Sequence, residues 1–424
     1  MTDTQAGIFL LDLTLILVAA LAFGWMARRI GQPPVVGEIL GGILLGPSLF
    51  GGALSRSLFP MAVRPFLSAV ADLGLVAFMF IVGMELDRRT RRGLGRVTAA
   101  TAVGATLLPF GLGLLLAVYL ASQDHIQHRL GFVLFIGVAT SITAFPVLAR
   151  IVTDRGMNRT FVGTAALSAA AVCDLSAWTL LAVVQAIVRG VSRWQVVLII
   201  PFAALMLLVI RPLLRRFLSG PVDPGNPAPA GQLAVVLAGV LTSAAVTQLL
   251  GLQFVFGAFL FGLIMPDQVT APVGARIRDR LEFATLLLLP VFFVVAGLKV
   301  NLATVGWSGV GDLGLILAAT IVGKFGGAFT GARTQGFPAR QAAMLATLMN
   351  TRGLTELIVL SVGLQIGVLS GRIYSLMVVM ALVTTGMAGP LLDVLTPKDA
   401  GPDSEEPVTD DEIAAPLRAE PGNR

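Results

Sequence analysis

The chain has 424 residues, of which 56% are hydrophobic and only 13% are charged. A soluble domain carries roughly 25% charged residues, so this composition excludes an ordinary soluble globular protein. The net charge of +6 does not indicate nucleic-acid binding, because the basic residues fall in short segments between long apolar stretches. Most of these stretches are long enough to cross a bilayer as a helix.

The apolar stretches predict an all-α polytopic membrane protein with about 13 transmembrane helices. In chain order, the predicted spans lie at 8–27, 34–50, 66–86, 97–120, 130–151, 160–188, 195–217, 231–250, 252–266, 281–299, 309–331, 339–365 and 372–396. Met1 to Gly7 lacks the basic start of a cleavable signal peptide, so we expect the first span to stay in the protein.

A linker rich in proline and glycine divides the chain at 218–230. We expect residues 1–217 to form a first six-helix repeat followed by a bridging helix, and residues 231–396 to form a second repeat. The segment 397–424 holds eight acidic residues and few large apolar ones, so it is predicted to be a disordered cytoplasmic tail.

The loops that follow odd-numbered spans hold most of the lysines and arginines, which places the N-terminus outside and the C-terminus in the cytoplasm. With this topology the two six-helix halves run in opposite directions. A weak internal match agrees, since Phe78–Asp87 resembles Phe292–Asn301 and each closes the third span of its half. Inverted repeats are typical of transporters.

Asp174 lies near the middle of the sixth span. A charge inside the membrane is costly, which makes such a residue a candidate for function. A buried carboxyl can hold a proton at neutral pH, and once ionised it is a hard oxygen ligand suited to Na⁺ or K⁺. A group that can hold either a proton or a metal ion, but not both at once, is sufficient for exchange of the two. The alternative is a structural salt bridge with Lys324.

Two spans carry polar residues at their centres and are predicted to be broken helices. In the fifth, Thr140 and Ser141 precede Pro146, which lacks a backbone donor. In the twelfth, polar residues run from Asn350 to Glu356. Broken helices expose carbonyls and helix ends near the bilayer centre. The alternative is an ordinary kink with the hydroxyls bonded back to the preceding turn.

Other charges also lie within spans. Lys324 is positioned to neutralise helix ends or to pair with Asp174. Arg352 and Glu356 are four residues apart, so they can satisfy each other across one helical turn. The alternative is a role in transport, in which they compensate charge near the helix crossing together with Lys324. Glu38 and Asp72 are each either the charge partner of another residue or a group on the ion pathway, and the sequence does not decide between these roles.

Taken together, these segments resemble the monovalent cation:proton antiporter family, and one of them is most similar to its plant cation/proton exchanger branch. The stretches that carry the resemblance are 32–47, Phe78–Asp87, Ser141–Arg150, Ala169–Trp178 and Asn350–Leu360, the last being the plant-like one.

The resemblance implies a homodimer with a scaffold and a mobile core, in which two broken helices cross. It assigns ion binding to Asp174, the polar helix break to Thr140 and Ser141, and the basic residue near the crossing to Lys324. The family's pair of Asp-Asp or Asn-Asp is replaced here by Cys173-Asp174. With one carboxylate left, we expect electroneutral exchange of one proton for one cation. Cys173 is either part of the ion site or a small packing residue.

The sequence thus predicts a transporter and not an enzyme, without a cofactor, in the cell membrane. Its substrates would be Na⁺ or K⁺ and H⁺, and membrane lipid would surround it. The mechanism expected is an elevator-like movement that exposes Asp174 to each side in turn. Two other functions stay open: a cation channel or gated K⁺ efflux system, and a symporter of organic anions on a similar fold.

Overall fold

A computed structural model describes residues 2–48, 52–90, 95–123, 128–157, 160–188, 198, 201–218, 230–265 and 271–395. The regular structure in these ranges is helical. The helices are α1 Asp3–Arg29, α2 Pro34–Leu45, α3 Ala53–Leu58, α4 Arg64–Thr90, α5 Arg96–Gln123, α6 Arg129–Ser141, α7 Phe145–Asp154, α8 Phe161–Val188, α9 Arg211–Leu218, α10 Ala230–Leu249, α11 Phe254–Leu263, α12 Ala271–Leu298, α13 Gly306–Arg333, α14 Ala339–Met349, α15 Leu354–Gln365 and α16 Gly371–Leu395.

Eight of the described helices are long and apolar enough to cross a membrane: α1, α4, α5, α8, α10, α12, α13 and α16. The predicted spans 34–50 and 252–266 correspond to the shorter helices α2 and α11. The predicted span 195–217 is described only in part, as a π-helical turn at Met206–Ile210 followed by α9. An all-helical membrane protein is therefore confirmed, while the count of thirteen spans and the inverted repeats stay predictions.

Most of the membrane helices pack into two bundles. The broken-helix bundle contains α5, α6, α7, α8, α13, α14, α15 and α16, and the flanking bundle contains α1, α2, α4, α10, α11 and α12. Contacts between the bundles are sparse and involve mainly α8 with α4, α15 with α12, and α16 with α2. The fold therefore joins two compact units through a limited boundary.

Glycines allow α5 and α13 to approach closely in the broken-helix bundle. A Cβ atom on Gly104 would lie 2.1 Å from the carbonyl oxygen of Gly327, and one on Gly327 would lie 2.1 Å from that of Gly104. A Cβ on Gly323 would lie 2.7 Å from the Cα of Pro109. Small residues at helix interfaces are typical of membrane proteins. This contact brings the next residue, Lys324, against α5.

Two predicted segments lie outside the described residues. They are the linker at 218–230, apart from its end residues Leu218 and Ala230, and the acidic tail at 397–424. Both stay predictions.

Candidate functional site

The predicted span 130–151 is broken between α6 and α7. α6 ends at Ser141, Ile142 is extended with φ −67° and ψ 143°, and α7 begins at Phe145. Pro146 occupies the first turn of α7, where its missing N–H costs no helical hydrogen bond. The proline therefore permits a helix start here and disfavours continuation from α6.

The predicted span 339–365 is broken between α14 and α15. α14 ends at Met349 and α15 begins at Leu354. Gly353 precedes α15 with φ 153°, a backbone conformation that favours glycine. A Cβ at Gly353 would also lie 2.7 Å from Cγ2 of Val147 in α7. The glycine thus both ends the break and lets the two broken helices meet.

The two breaks contact each other directly. The backbone N–H of Ala144 donates to the carbonyl oxygen of Thr351 at 3.1 Å. The Thr143 hydroxyl donates to the carbonyl of Met349, the last residue of α14, at 3.2 Å. Backbone groups that lose their helical partners in one break are therefore satisfied partly by the other, as buried polar groups require.

Lys324 of α13 is fully buried and binds the first break. Its Nζ donates to the carbonyl of Ser141 at 2.5 Å and to the Thr143 hydroxyl at 2.6 Å. Its third bond, at 2.9 Å, goes to the carbonyl of Ala105 in α5. Pro109 lies four residues after Ala105 and cannot donate to that carbonyl, so the lysine takes the place of the missing helical donor.

Arg352, between α14 and α15, binds the same helix end. Its guanidinium donates to the carbonyl of Ala139 at 2.9 Å and to the carbonyl of Thr140. It also forms a salt bridge of 2.9 Å with Glu356, and both side chains are fully buried. The last carbonyls of a helix carry partial negative charge. Two cations, Lys324 and Arg352, therefore cover the C-terminal end of α6.

Asp174 lies in α8 and is 3% exposed. The backbone N–H of Phe145, the first residue of α7, and the ammonium of Lys324 interact with it electrostatically. Neither carboxylate oxygen meets the geometry of a hydrogen bond with any described residue. The salt bridge with Lys324 that the sequence left open is not formed here. A buried carboxyl whose partners are limited to the Phe145 N–H and the more distant Lys324 ammonium is costly, which is unexpected in a purely structural role.

Cys173 packs against α5. Its Sγ lies 3.4 Å from the Thr106 hydroxyl and 3.7 Å from the carbonyl oxygen of Ala102, both in α5. It is 1% exposed. These contacts favour the interpretation of Cys173 as a small packing residue, since a thiol is also a poor ligand for hard cations.

The hydroxyls at the end of α6 bond to backbone carbonyls. Thr140 Oγ1 donates to Pro109 and Gly137, each at 3.0 Å, and Ser141 Oγ donates to Val138 at 2.8 Å. The break and the back-bonded hydroxyls, posed above as alternatives, therefore occur together. Each hydroxyl oxygen keeps lone pairs that can accept a hydrogen bond or coordinate a cation.

Several contributors to this region carry no signal in the sequence. Ala105 acts through a backbone carbonyl, and Thr385 holds the second break by donating to the carbonyl of Arg352 at 2.7 Å. Pro109, by contrast, does carry a signal. A proline inside a predicted span indicates that the carbonyl four residues earlier lacks its helical donor. Nothing in the sequence indicates that Lys324 reaches that carbonyl.

Residues 15–397 match the family model for the transmembrane region of sodium/hydrogen exchangers. The chain belongs to this family. The resemblance inferred from its motifs is thus confirmed. The chain is a multi-pass membrane protein of an antiporter family.

Curated relatives agree with this assignment. The chain is 36% identical over 413 residues to the Na⁺/H⁺ antiporter NhaS4 of Synechocystis sp., covering 94% of this chain and all of the relative. It is 36% identical to cation/H⁺ antiporter 15 of Arabidopsis thaliana, covering 93% of this chain and 48% of that one. It is 30% identical to K⁺/H⁺ antiporter 1 of Saccharomyces cerevisiae, covering 93% and 47%. The chain thus spans about half the length of the plant and yeast proteins.

The fold is similar to that of a solved antiporter. The sodium proton antiporter MjNhaP1 from Methanocaldococcus jannaschii, whose structure was determined at pH 8, aligns with a TM-score of 0.65 at 15% identity. The alignment covers 89% of this chain and 98% of that chain. At this identity the likeness establishes a shared fold.

Proposed function

We propose that this protein exchanges a monovalent cation, Na⁺ or K⁺, for a proton across the cell membrane, and that Asp174 carries both. The observation that supports it is the buried Asp174 carboxyl beside the first helix break, which has no salt bridge or side-chain hydrogen bond to a described residue. An unbonded carboxylate keeps its lone pairs for a cation, and the protonated form lowers the cost of burial. The names of the curated relatives, which are Na⁺/H⁺, K⁺/H⁺ and cation/H⁺ antiporters, support the same substrates.

The surrounding charges suit a site that alternates between the two cargoes. Lys324 and Arg352 are held by carbonyls and by Glu356, so neither forms a strong ion pair with Asp174. Lys324 still interacts with the Asp174 carboxyl electrostatically. In this proposal Lys324 and Arg352 stabilise the helix breaks, and Asp174 stays free to bind either a proton or the transported cation.

One carboxylate at the site supports one proton exchanged for one cation. Cys173 takes the place next to Asp174 and packs against α5, so it adds no charge to the transported group. The exchange is then electroneutral.

The movement we infer is a displacement of the broken-helix bundle against the flanking bundle. The sparse boundary between the bundles supports it, since few contacts must change. Large apolar side chains exposed on α1, such as Leu11 at 71% and Leu21 at 68%, suit contact with lipid or with the second copy of a homodimer. The N-terminus would lie outside and the C-terminus in the cytoplasm.

Inside-out vesicles with an acid interior test the proposal. Sodium, potassium or choline is added, and a pH-sensitive dye follows the gradient for the parent and for Asp174→Asn. We expect Na⁺ or K⁺ to dissipate the gradient in the parent, choline to have no effect, and the variant to be inactive. A gradient that no cation alters, or a variant as active as the parent, would overturn the proposal in favour of a channel or an organic-solute carrier.

A further inference from the structure

Several contacts join the two bundles in the half of the membrane where α8 and α15 end and α16 begins, among them one aromatic pair and two side-chain hydrogen bonds. The ring of Trp178 in α8 packs edge-on against Phe256 in α11, with centroids 5.8 Å apart and an interplanar angle of 89°. Gln253 Nε2 donates to Gln365 Oε1 at 3.0 Å. The Tyr374 hydroxyl donates to the carbonyl of Ala296 at 2.9 Å. If the helices cross in alternation as predicted, this is the side of the N-terminus.

Trp178 follows Asp174 by four residues, which places it one helical turn further along the same face of α8. Both side chains are 3% exposed. The indole N–H has no hydrogen bond to a described residue, so packing alone holds the ring. The Trp178–Phe256 pair therefore lies directly on the N-terminal side of Asp174, one helical turn away along α8.

Beyond the pair, the same face of α8 is polar. Gln185 lies seven residues after Trp178, which is close to two full turns. Its amide is buried, and neither its oxygen nor its nitrogen is hydrogen-bonded within the described structure. Burying an unbonded amide is costly, so the position suits a path that polar species enter. The aromatic pair thus separates two polar positions, Asp174 and Gln185.

The opposite side of the boundary is built differently. There Gln32 Nε2 of the α1–α2 connection donates to the carbonyl of Gly386 in α16 at 3.2 Å, and Glu38 in α2 interacts electrostatically with Arg150 in α7. Within the described ranges, no aromatic pair joins the bundles on that side. The aromatic closure is therefore one-sided.

We propose that Trp178 is the gate on the N-terminal side: packed against Phe256 it closes the route to Asp174, and it must leave Phe256 before the site opens to that side. The inference rests on the proposed exchange by alternating access. Because Phe256 belongs to the flanking bundle and Trp178 to the broken-helix bundle, movement of one bundle against the other separates the rings.

Accessibility of position 174 tests the gate independently of transport. A protein carrying Cys173→Ser and Asp174→Cys has one cysteine, at the site itself, and is treated in vesicles with a membrane-impermeant cationic methanethiosulfonate from either side. Adding Trp178→Ala should raise the labelling rate from the N-terminal side about tenfold, because the closed state loses its aromatic contact. Labelling from the opposite side should stay constant or fall.

Two variants control the experiment. Trp178→Phe keeps a ring against Phe256 and should preserve protection, whereas Trp25→Ala makes the same truncation at an exposed tryptophan of α1 and should change nothing. The proposed gate would be wrong if Trp178→Ala did not change the labelling rate from the N-terminal side, or if it raised the labelling rates from the two sides equally. Failure of the proposed exchange is seen separately, as activity that survives Asp174→Asn.

Discussion

At the scale of single residues, Lys324 joins three elements. Its ammonium binds the carbonyl that Pro109 frees in α5, the last carbonyl of α6 and the hydroxyl of Thr143 in the break. Thr143 in turn donates to the end of α14. A single side chain thus satisfies groups that two helix irregularities leave without a partner.

Replacing Lys324 by methionine should lower the stability of the protein by about 2–4 kcal/mol, because buried acceptors lose a charged donor. Arg333→Met is a matched control on the same helix, since Arg333 is exposed and donates only to the carbonyl of Phe337 among the bonds described. Thermal unfolding of the purified protein in detergent measures both. Equal melting temperatures for the two variants would contradict the stabilising role.

The charged residues of the site could be predicted because a charge inside an apolar span is energetically costly and therefore rare. This pattern predicts Asp174, Lys324, Arg352 and Glu356 as site residues, and the structure brings Lys324, Arg352 and Glu356 to the two breaks. The bonds from Lys324 to the carbonyls of Ser141 and Ala105 could not be predicted, since every residue has a carbonyl and nothing in the sequence pairs these with Lys324. Whether Asp174 binds the transported ions stays a prediction.

At the scale of helices, both breaks follow from local backbone chemistry. Pro146 lies in the first turn of α7, and Gly353 takes a conformation that other residues rarely adopt. The sequence therefore predicted where the helices stop. It did not predict which helices pack together, because nothing among 47 glycines pairs Gly104 with Gly327.

The close approach of α5 and α13 leads to a test with a control on the same helix. Gly327→Ala places a Cβ 2.1 Å from the carbonyl oxygen of Gly104, so the helices must separate. We expect a loss of about 1–3 kcal/mol, as for overpacked cores. Gly314→Ala, where the added Cβ meets nothing within 4 Å, should leave the melting temperature unchanged or raise it. The packing would be wrong if Gly327→Ala were as stable as Gly314→Ala.

At the scale of the whole molecule, the limited boundary between the bundles is the feature that bears on transport. Gln253 in the flanking bundle and Gln365 in the broken-helix bundle meet across it. Arg155 and Asp393, by contrast, form a salt bridge of 2.5 Å within the broken-helix bundle. A link between Gln253 and Gln365 would block movement of one bundle against the other, whereas a link between Arg155 and Asp393 would block only movement within the broken-helix bundle.

Cysteines introduced at Gln253 and Gln365 can be linked by a short bis-methanethiosulfonate, which forms a disulfide with each thiol. This link should stop exchange until a thiol reductant cleaves the disulfides. The same treatment of cysteines at Arg155 and Asp393 should leave exchange largely intact, because both residues move together. Dye-based exchange in vesicles measures both pairs. Full activity with the first pair linked would exclude a relative displacement of the bundles.

The single carboxylate also predicts how exchange responds to voltage. If one proton replaces one cation, no net charge crosses the membrane in a cycle. Imposing a membrane potential across proteoliposomes should then leave the exchange rate unchanged. A rate that follows the potential would require a second charge to move.

In the proposed mechanism, one cation and one proton compete for Asp174. Titration calorimetry of the purified protein with Na⁺ or K⁺, repeated in buffers of different ionisation enthalpy, counts the protons released on binding. We expect release of up to about one proton per bound cation, and neither cation binding nor proton release for Asp174→Asn. Cation binding that releases no proton at any pH, or that persists in the variant, would contradict it.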